Sequence, residues 1–223
     1  MADRRFIHQK NREDAIKLLK IIIDTLADYN IKYYLDFGTL IGAIREKGLI
    51  LWDDDIDISL LDENDYEKIP HVLEDIRKKH NLRTYLFTFD LDMSWKQKRK
   101  RKKRPKNDYK GVVSFTNSAN YRIAKVRTNK FWIFGRGNTC IDIFFKYKYK
   151  GASHWLAYGL ENSVPLEYFC EELIEIDFCG LKCSIPKEYD NYLTYKYGDW
   201  KTPNENWTHD DHDFSINKEE KVS

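Results

Sequence analysis

Residues 35–58 read Leu-Asp-Phe-Gly-Thr-Leu-Ile-Gly-Ala-Ile-Arg-Glu-Lys-Gly-Leu-Ile-Leu-Trp-Asp-Asp-Asp-Ile-Asp-Ile, a glycine-bearing turn followed by Asp53, Asp54, Asp55 and Asp57. Carboxylates packed this tightly repel one another strongly unless a cation sits among them. From Asp55 to Leu60 the chain alternates polar and apolar residues. In a strand, that period puts Asp55 and Asp57 on one face and Ile56, Ile58 and Leu60 on the other. Two such carboxylates, roughly 7 Å apart along the strand, are able to share hard divalent cations through oxygen ligands. Acidic runs are more often solvated loops or helix caps. Such a loop has no need of Trp52, Ile56 and Ile58 around it, or of Gly38 and Gly48 at its approaches. The stretch is expected to form a metal-dependent site that handles phosphate.

A chain of 223 residues, 42% hydrophobic and 15% aromatic, has material for one sizeable core. It holds no apolar run of transmembrane length. Its first residues, Met-Ala-Asp-Arg-Arg-Phe-Ile-His-Gln-Lys, lack the apolar segment of a secretory signal. The expectation is a soluble, cytoplasmic protein. The four cysteines, Cys140, Cys170, Cys179 and Cys183, are too few for a disulfide framework at this length. Cys179 and Cys183, taken with His209 and His212, have spacing that tetrahedral zinc accepts. Two ordinary apolar thiols in a hairpin explain the cysteines equally simply.

The net charge of +2 hides a run at 96–106 with nine cations and no anion, so the rest of the chain is net negative. Such a run belongs in a solvated loop or insertion. It fits an anionic partner: nucleic acid, an anionic membrane or an import receptor. It contains no aromatic residue to stack on bases.

Periodicity and turn chemistry predict helices over 11–29, 39–46, 62–80, 153–162 and 186–195. Strands are expected over 31–36, 55–61, 82–90, 111–116, 121–127 and 139–145, with a hairpin over 173–185 around Gly180. Residues 131–137 fit a loop or a strand end. No internal repeat or linker interrupts the pattern. It reads as one α+β domain with a mixed sheet and flanking helices, spanning 1–223 with a basic insertion at about 95–108.

Within the strand at 139–145, Asp142 is a lone acid between Ile141 and Ile143. A carboxylate there either faces the wet side of the sheet or is held by a cation or hydrogen bonds. Gly38-Thr39, Asp55-Ile56-Asp57 and Asp142 follow the order of a glycine, a small hydroxyl residue, Asp-x-Asp and a third acid. That order resembles the DNA polymerase β-like nucleotidyltransferase fold. The longer string from Gly38 to Ile58 is similar to the LicD/fukutin family. Weaker matches follow at Ala124-Lys125-Val126-Arg127, Ile141-Asp142-Ile143-Phe144, Ile185-Pro186-Lys187-Glu188-Tyr189, Tyr192-Leu193 and Tyr197-Gly198-Asp199-Trp200-Lys201-Thr202-Pro203, with His209 beyond.

The resemblance implies transfer of phosphocholine, or a related polyol phosphate, from a CDP-linked donor (CDP-choline or a CDP-polyol) to a hydroxyl of a glycan or glycoconjugate. It implies Mg2+ or Mn2+ held by Asp53, Asp55, Asp57 and Asp142. Asp55, Asp57 and Asp142 are the catalytic candidates, and Asp54 is expected to shape the turn or face solvent. Gly38 and Thr39 would seat phosphate on helix N-terminal amides. Arg45, Lys47, Lys125 and Arg127 are candidates for the donor's phosphates or for ordinary solvated positions. Tyr197, Trp200 and His209 either line the pocket or clamp the C-terminal loop. Two alternatives use the same residues differently. One is an NTP-dependent nucleotidyltransferase; the other is a nucleic-acid-binding adaptor that works through the basic run.

Overall fold

A computed structural model describes residues 3–88, 121–129, 136–157, 160–169, 172–208 and 213–216. The basic run, the expected strand at 111–116, residues 131–135, Cys170, His209 and His212 lie outside them. The chain opens with α1 (Gln9–Asp28), whose Ala15, Leu18, Leu19, Ile22 and Leu26 form a buried stripe at helical spacing. It stops at Asn30, which takes φ +54°, a left-handed conformation that asparagine tolerates at helix ends.

β1 (Tyr33–Leu35) leads into α2 (Phe37–Ile41), which continues as a π-helical turn over Gly42–Glu46. β2 (Ile56–Leu60) follows the acidic run. Asp62 accepts a hydrogen bond from the Asn64 amide and caps a 3-10 turn over Glu63–Lys68. That turn feeds α3 (Ile69–His80), with Pro70 in its first turn, where a missing N–H costs nothing. Next come β3 (Arg83–Thr88), β4 (Tyr121–Asn129) and β5 (Arg136–Phe144).

These five strands form one sheet in the order β1-β2-β5-β4-β3. β2 and β5 run parallel at its centre, and the other neighbours are antiparallel. The mixed sheet with helices is the α+β arrangement expected from the sequence. α1 packs on β5 and α3 on β3, and the two helices touch. Ile56, Ile58, Ile141, Ile143, Ala124 and Val126 are buried on the aliphatic side of the sheet. The alternating residues Asp57, Asp142 and Lys125 therefore share the opposite face.

Beyond this sheet the structure differs from expectation in two places. Residues 153–162 are not helical. They belong to an antiparallel ribbon of β6 (Tyr147–Tyr149), β7 (Ala152–Ala157) and β8 (Leu160–Pro165). Ser153 and Trp155 alternate inward with period two, and burying Trp155 completely outweighs local helix preference. β9 (Leu173–Phe178) and β10 (Leu181–Pro186) form the expected hairpin. Its two-residue turn has Cys179 at φ +54° and Gly180 at φ +80°, the combination a right-twisted hairpin favours. The last helix, α4 (Tyr189–Tyr197), starts three residues after Pro186, which ends β10 instead. Cys183 is buried and Cys179 half-buried in that hairpin. No helix among the described residues is long and apolar enough to cross a membrane.

Candidate active site

The register of the sheet lines up the acids. Asp57 on β2 is directly opposite Asp142 on β5, and Asp142 is directly opposite Lys125 on β4. One row of side chains thus crosses three strands on a single face. Asp55 lies two residues before Asp57 on the same side. Carboxylate oxygens of Asp55, Asp57 and Asp142 lie within 4.8 Å of one another, and Asp53, Asp54 and Asp55 make a second such group. The structure therefore brings together the four acids expected to act jointly. Asp55 is common to both groups.

The electrostatics are those of an undercompensated cluster. Burial, then the charges of Asp142, Asp53 and Asp54, pushes Asp55 up to about 8. Burial pushes Asp53 up to about 6. Asp57 is raised well above the usual carboxylate range by burial, then by Asp55 and Asp142. Asp142 does have partners: Lys125 donates to one oxygen and the Cys140 thiol approaches the other at 3.1 Å. Among the described residues, the Asp55 and Asp57 carboxylates accept no hydrogen bond. Half-buried, unpartnered and crowded oxygens of this kind suit a hard divalent cation, whose ligands are carboxylate oxygens.

Residues 30–138 match the LicD/FKTN/FKRP nucleotidyltransferase domain. Over that stretch, just under half of its length, the chain is similar to the LicD family. It is 43% identical over 193 residues to an uncharacterized protein of Rickettsia prowazekii, covering 83% of this chain and 56% of that one. Over 59 residues it is 39% identical to an uncharacterized protein of Rickettsia typhi, 26% of this chain and 19% of the relative. It is 28% identical over 200 residues to the lipopolysaccharide cholinephosphotransferase LicD of Haemophilus influenzae, 75% of this chain and 74% of that enzyme. The chain spans about a fifth and about half of the lengths of the two Rickettsia relatives.

In this chain the glycine turn has a steric reason. A Cβ on Gly38 would sit 2.7 Å from Oδ2 of Asp53, so only glycine lets that carboxylate approach the start of α2. Thr39 is buried, and its hydroxyl accepts the Asp57 amide at 2.9 Å, fastening α2 to β2 at the site. Gly38→Ala is expected to cost about 1–3 kcal/mol in urea unfolding, because the new methyl must displace a confined side chain. An unchanged midpoint would show that Asp53 moves aside freely.

Two segments that the sequence did not single out hold the acidic turn. Phe6 is buried, and its amide donates to the Asp53 carbonyl at 2.8 Å. Arg4 pairs with Asp54, which keeps Asp54 occupied at the turn. Arg12 donates to the Phe6 and Ile7 carbonyls and clasps this N-terminal strap. At the other end of the chain, Arg45 donates to the Trp200 carbonyl at 2.7 Å and to Glu46. Its guanidinium locks the C-terminal loop. Trp200 is buried against Tyr189, and Tyr197 packs on Trp207, so both aromatics act as a clamp. Arg127 lies opposite Cys140, one row along from Lys125 on the same face.

Behind the acids is a fully buried polar hub. Asp36 caps α2 through the Phe37 amide, accepts the Tyr192 hydroxyl at 2.7 Å and pairs with Lys146 at 2.6 Å. Its own amide donates to the Asp57 carbonyl. The Lys146 ammonium sits among the rings of Tyr34, Phe37, Trp155, Phe169 and Tyr192, 4.4 Å from the Trp155 centroid. Nearby, Lys196 is held by Asp213 at 2.5 Å and Ser215 at 2.9 Å, which draws residues 213–216 back onto the domain. Phe37 takes φ +48°, a strained backbone that persists because rings and the Asp36 cap fix it from all sides. One signal for this hub was available: Lys146 is a lone cation in Phe144-Phe145-Lys146-Tyr147.

Proposed function

We propose that this chain is a divalent-cation-dependent transferase that moves a phosphorylated alcohol from a CDP-linked donor to a hydroxyl of a glycan or glycoconjugate. The observation that supports it most is the convergence of the Asp55, Asp57 and Asp142 oxygens on one sheet face. The name of the Haemophilus relative supports phosphocholine as the leading transferred group, with a polyol phosphate behind it.

Asp55, Asp57 and Asp142 would hold Mg2+ or Mn2+, with Asp53 beside them. Bound there, the cation supplies Lewis acidity toward the diphosphate and the attacking hydroxyl. The chain's own groups do the rest. The acceptor oxygen forms a bond to the distal phosphorus of the donor, the bond from that phosphorus to the CMP oxygen breaks, and CMP leaves. The acceptor's proton passes to Asp55, whose carboxylate accepts no hydrogen bond among the described residues. Lys125 and Arg127 lie on the same face and supply positive charge to the donor's phosphates.

The test is a donor screen across CDP-choline, CDP-ribitol and CTP with a Mn2+ titration, using Asp57→Ala as control. CMP release that requires both metal and acceptor is the expected result. Pyrophosphate release from CTP would instead favour the nucleotidyltransferase alternative, which uses the same acids on a different phosphorus.

A further inference from the structure

Lys125 has a position no other cation shares among the described residues. It is the strand neighbour of Asp142, in the row that also contains Asp57, and its ammonium pairs directly with the Asp142 carboxylate. The Lys125 side chain keeps 28% of its surface exposed against 7% for Asp142, so it reaches the acid from the open side. Burial works against its charge, but attraction to Asp142 prevails and raises its proton affinity, so the group stays cationic. A lysine head group is a point charge on four flexible carbons, able to move several Å with its backbone fixed.

We propose that Lys125 is a resident counter-ion that releases Asp142 to an incoming divalent cation and carries its charge to the donor's phosphate. This rests on the metal-dependent reading above and adds an order to it: the carboxylates exchange one cation for another, and the displaced one becomes a substrate ligand. Three features support the exchange. One ammonium leaves three carboxylates undercompensated, so the cluster retains capacity for more positive charge. A divalent ion among those oxygens would repel an ammonium still seated on Asp142. One row along on this face, opposite Cys140, Arg127 places a second cation next to Lys125, a pairing suited to phosphate beside the acids. Until a divalent cation arrives, direct pairing with Lys125 holds the Asp142 carboxylate in place.

The experiment uses the full chain as wild type, Lys125→Met and Lys125→Arg. Titration calorimetry measures Mn2+ alone, then CDP in the presence of saturating Mn2+. Lys125→Met is expected to bind Mn2+ at least threefold tighter than wild type and CDP at least tenfold more weakly. Lys125→Arg keeps the charge on Asp142 and is expected to bind Mn2+ no tighter than wild type. Unchanged or weakened Mn2+ binding in Lys125→Met would mean that the lysine does not compete for the site. Unchanged CDP binding would mean that it is not handed on. Either result overturns the proposal.

Should Lys125→Met fail to fold, acylation of Lys125 in wild type, read by peptide mass spectrometry, replaces it. Reactivity should rise at least threefold on adding Mn2+, and a flat or falling value overturns the exchange. If wild type binds no more Mn2+ than Asp57→Ala does, the metal reading itself is lost, a result distinct from the other two.

Discussion

Asp57→Asn is expected to lower transfer by at least about a thousandfold, equivalent to about 4 kcal/mol of transition-state stabilisation, while leaving metal-free protein at least as stable as the parent. The two halves of that result have one cause. Asp57 sits in a row of like charges, partly desolvated and without a hydrogen-bond donor, and its ionised form is strongly disfavoured. Asparagine keeps the shape and removes the repulsion. Asp142→Asn makes a contrast. It leaves the Lys125 ammonium without its paired carboxylate and should weaken both activity and the metal-free fold. The check is kcat/KM with Mn2+, together with urea unfolding in chelator for both variants. A Tm increase on adding Mn2+ should appear in wild type and vanish in Asp57→Asn. Loss of stability in Asp57→Asn equal to that in Asp142→Asn would show that Asp57 is a structural acid.

Lys146→Met is expected to destabilise the protein by about 3–5 kcal/mol, the usual cost of stripping one partner from a buried ion pair. Asp36 would remain at 0% exposure with its charge uncompensated, and the aromatic box would lose the ammonium at its centre. Asp36→Asn should cost a similar amount. The double variant should recover part of the loss, and a double-mutant cycle of urea midpoints measures the coupling. Additive losses would mean that the pair contributes nothing jointly.

A pH signature accompanies the pair. Burial, the larger influence, pulls Lys146 down from 10.5 to about 8 despite the pull of Asp36. Between those two values the unfolded chain holds a proton that the folded chain has released. This group's contribution to stability therefore rises with pH across the window and is lost as pH falls through about 8. Lys146→Met should remove that slope.

The site was more legible in the sequence than its supports. Asp55 and Asp57 announced their shared face through a period of two, and Asp142 stood out as an acid among isoleucines. Those are short-range signals, and strand register turns them into one row. By contrast, the strap of Arg4 and Phe6 over Asp53 and Asp54, and the reach of Asp213 to Lys196, depend on contacts between distant segments. No local pattern encodes them. The misread helix at 153–162 has the same origin, since only packing against the buried layer decides that Trp155 belongs to a strand. Arg45, a candidate for phosphate from its place at a helix end, is bonded to the Trp200 carbonyl for a comparable long-range reason.

The parallel pairing of β2 with β5 has a kinetic consequence. Residues 56–59 meet residues 141–144, two segments far apart in sequence with β3 and β4 between them. Ordering so long an intervening segment is slow and costs loop entropy before any contact rewards it. The acid row is therefore complete only once β2 and β5 have paired. Before that, only the sequence-local acids Asp53, Asp54, Asp55 and Asp57 lie near one another, without Asp142.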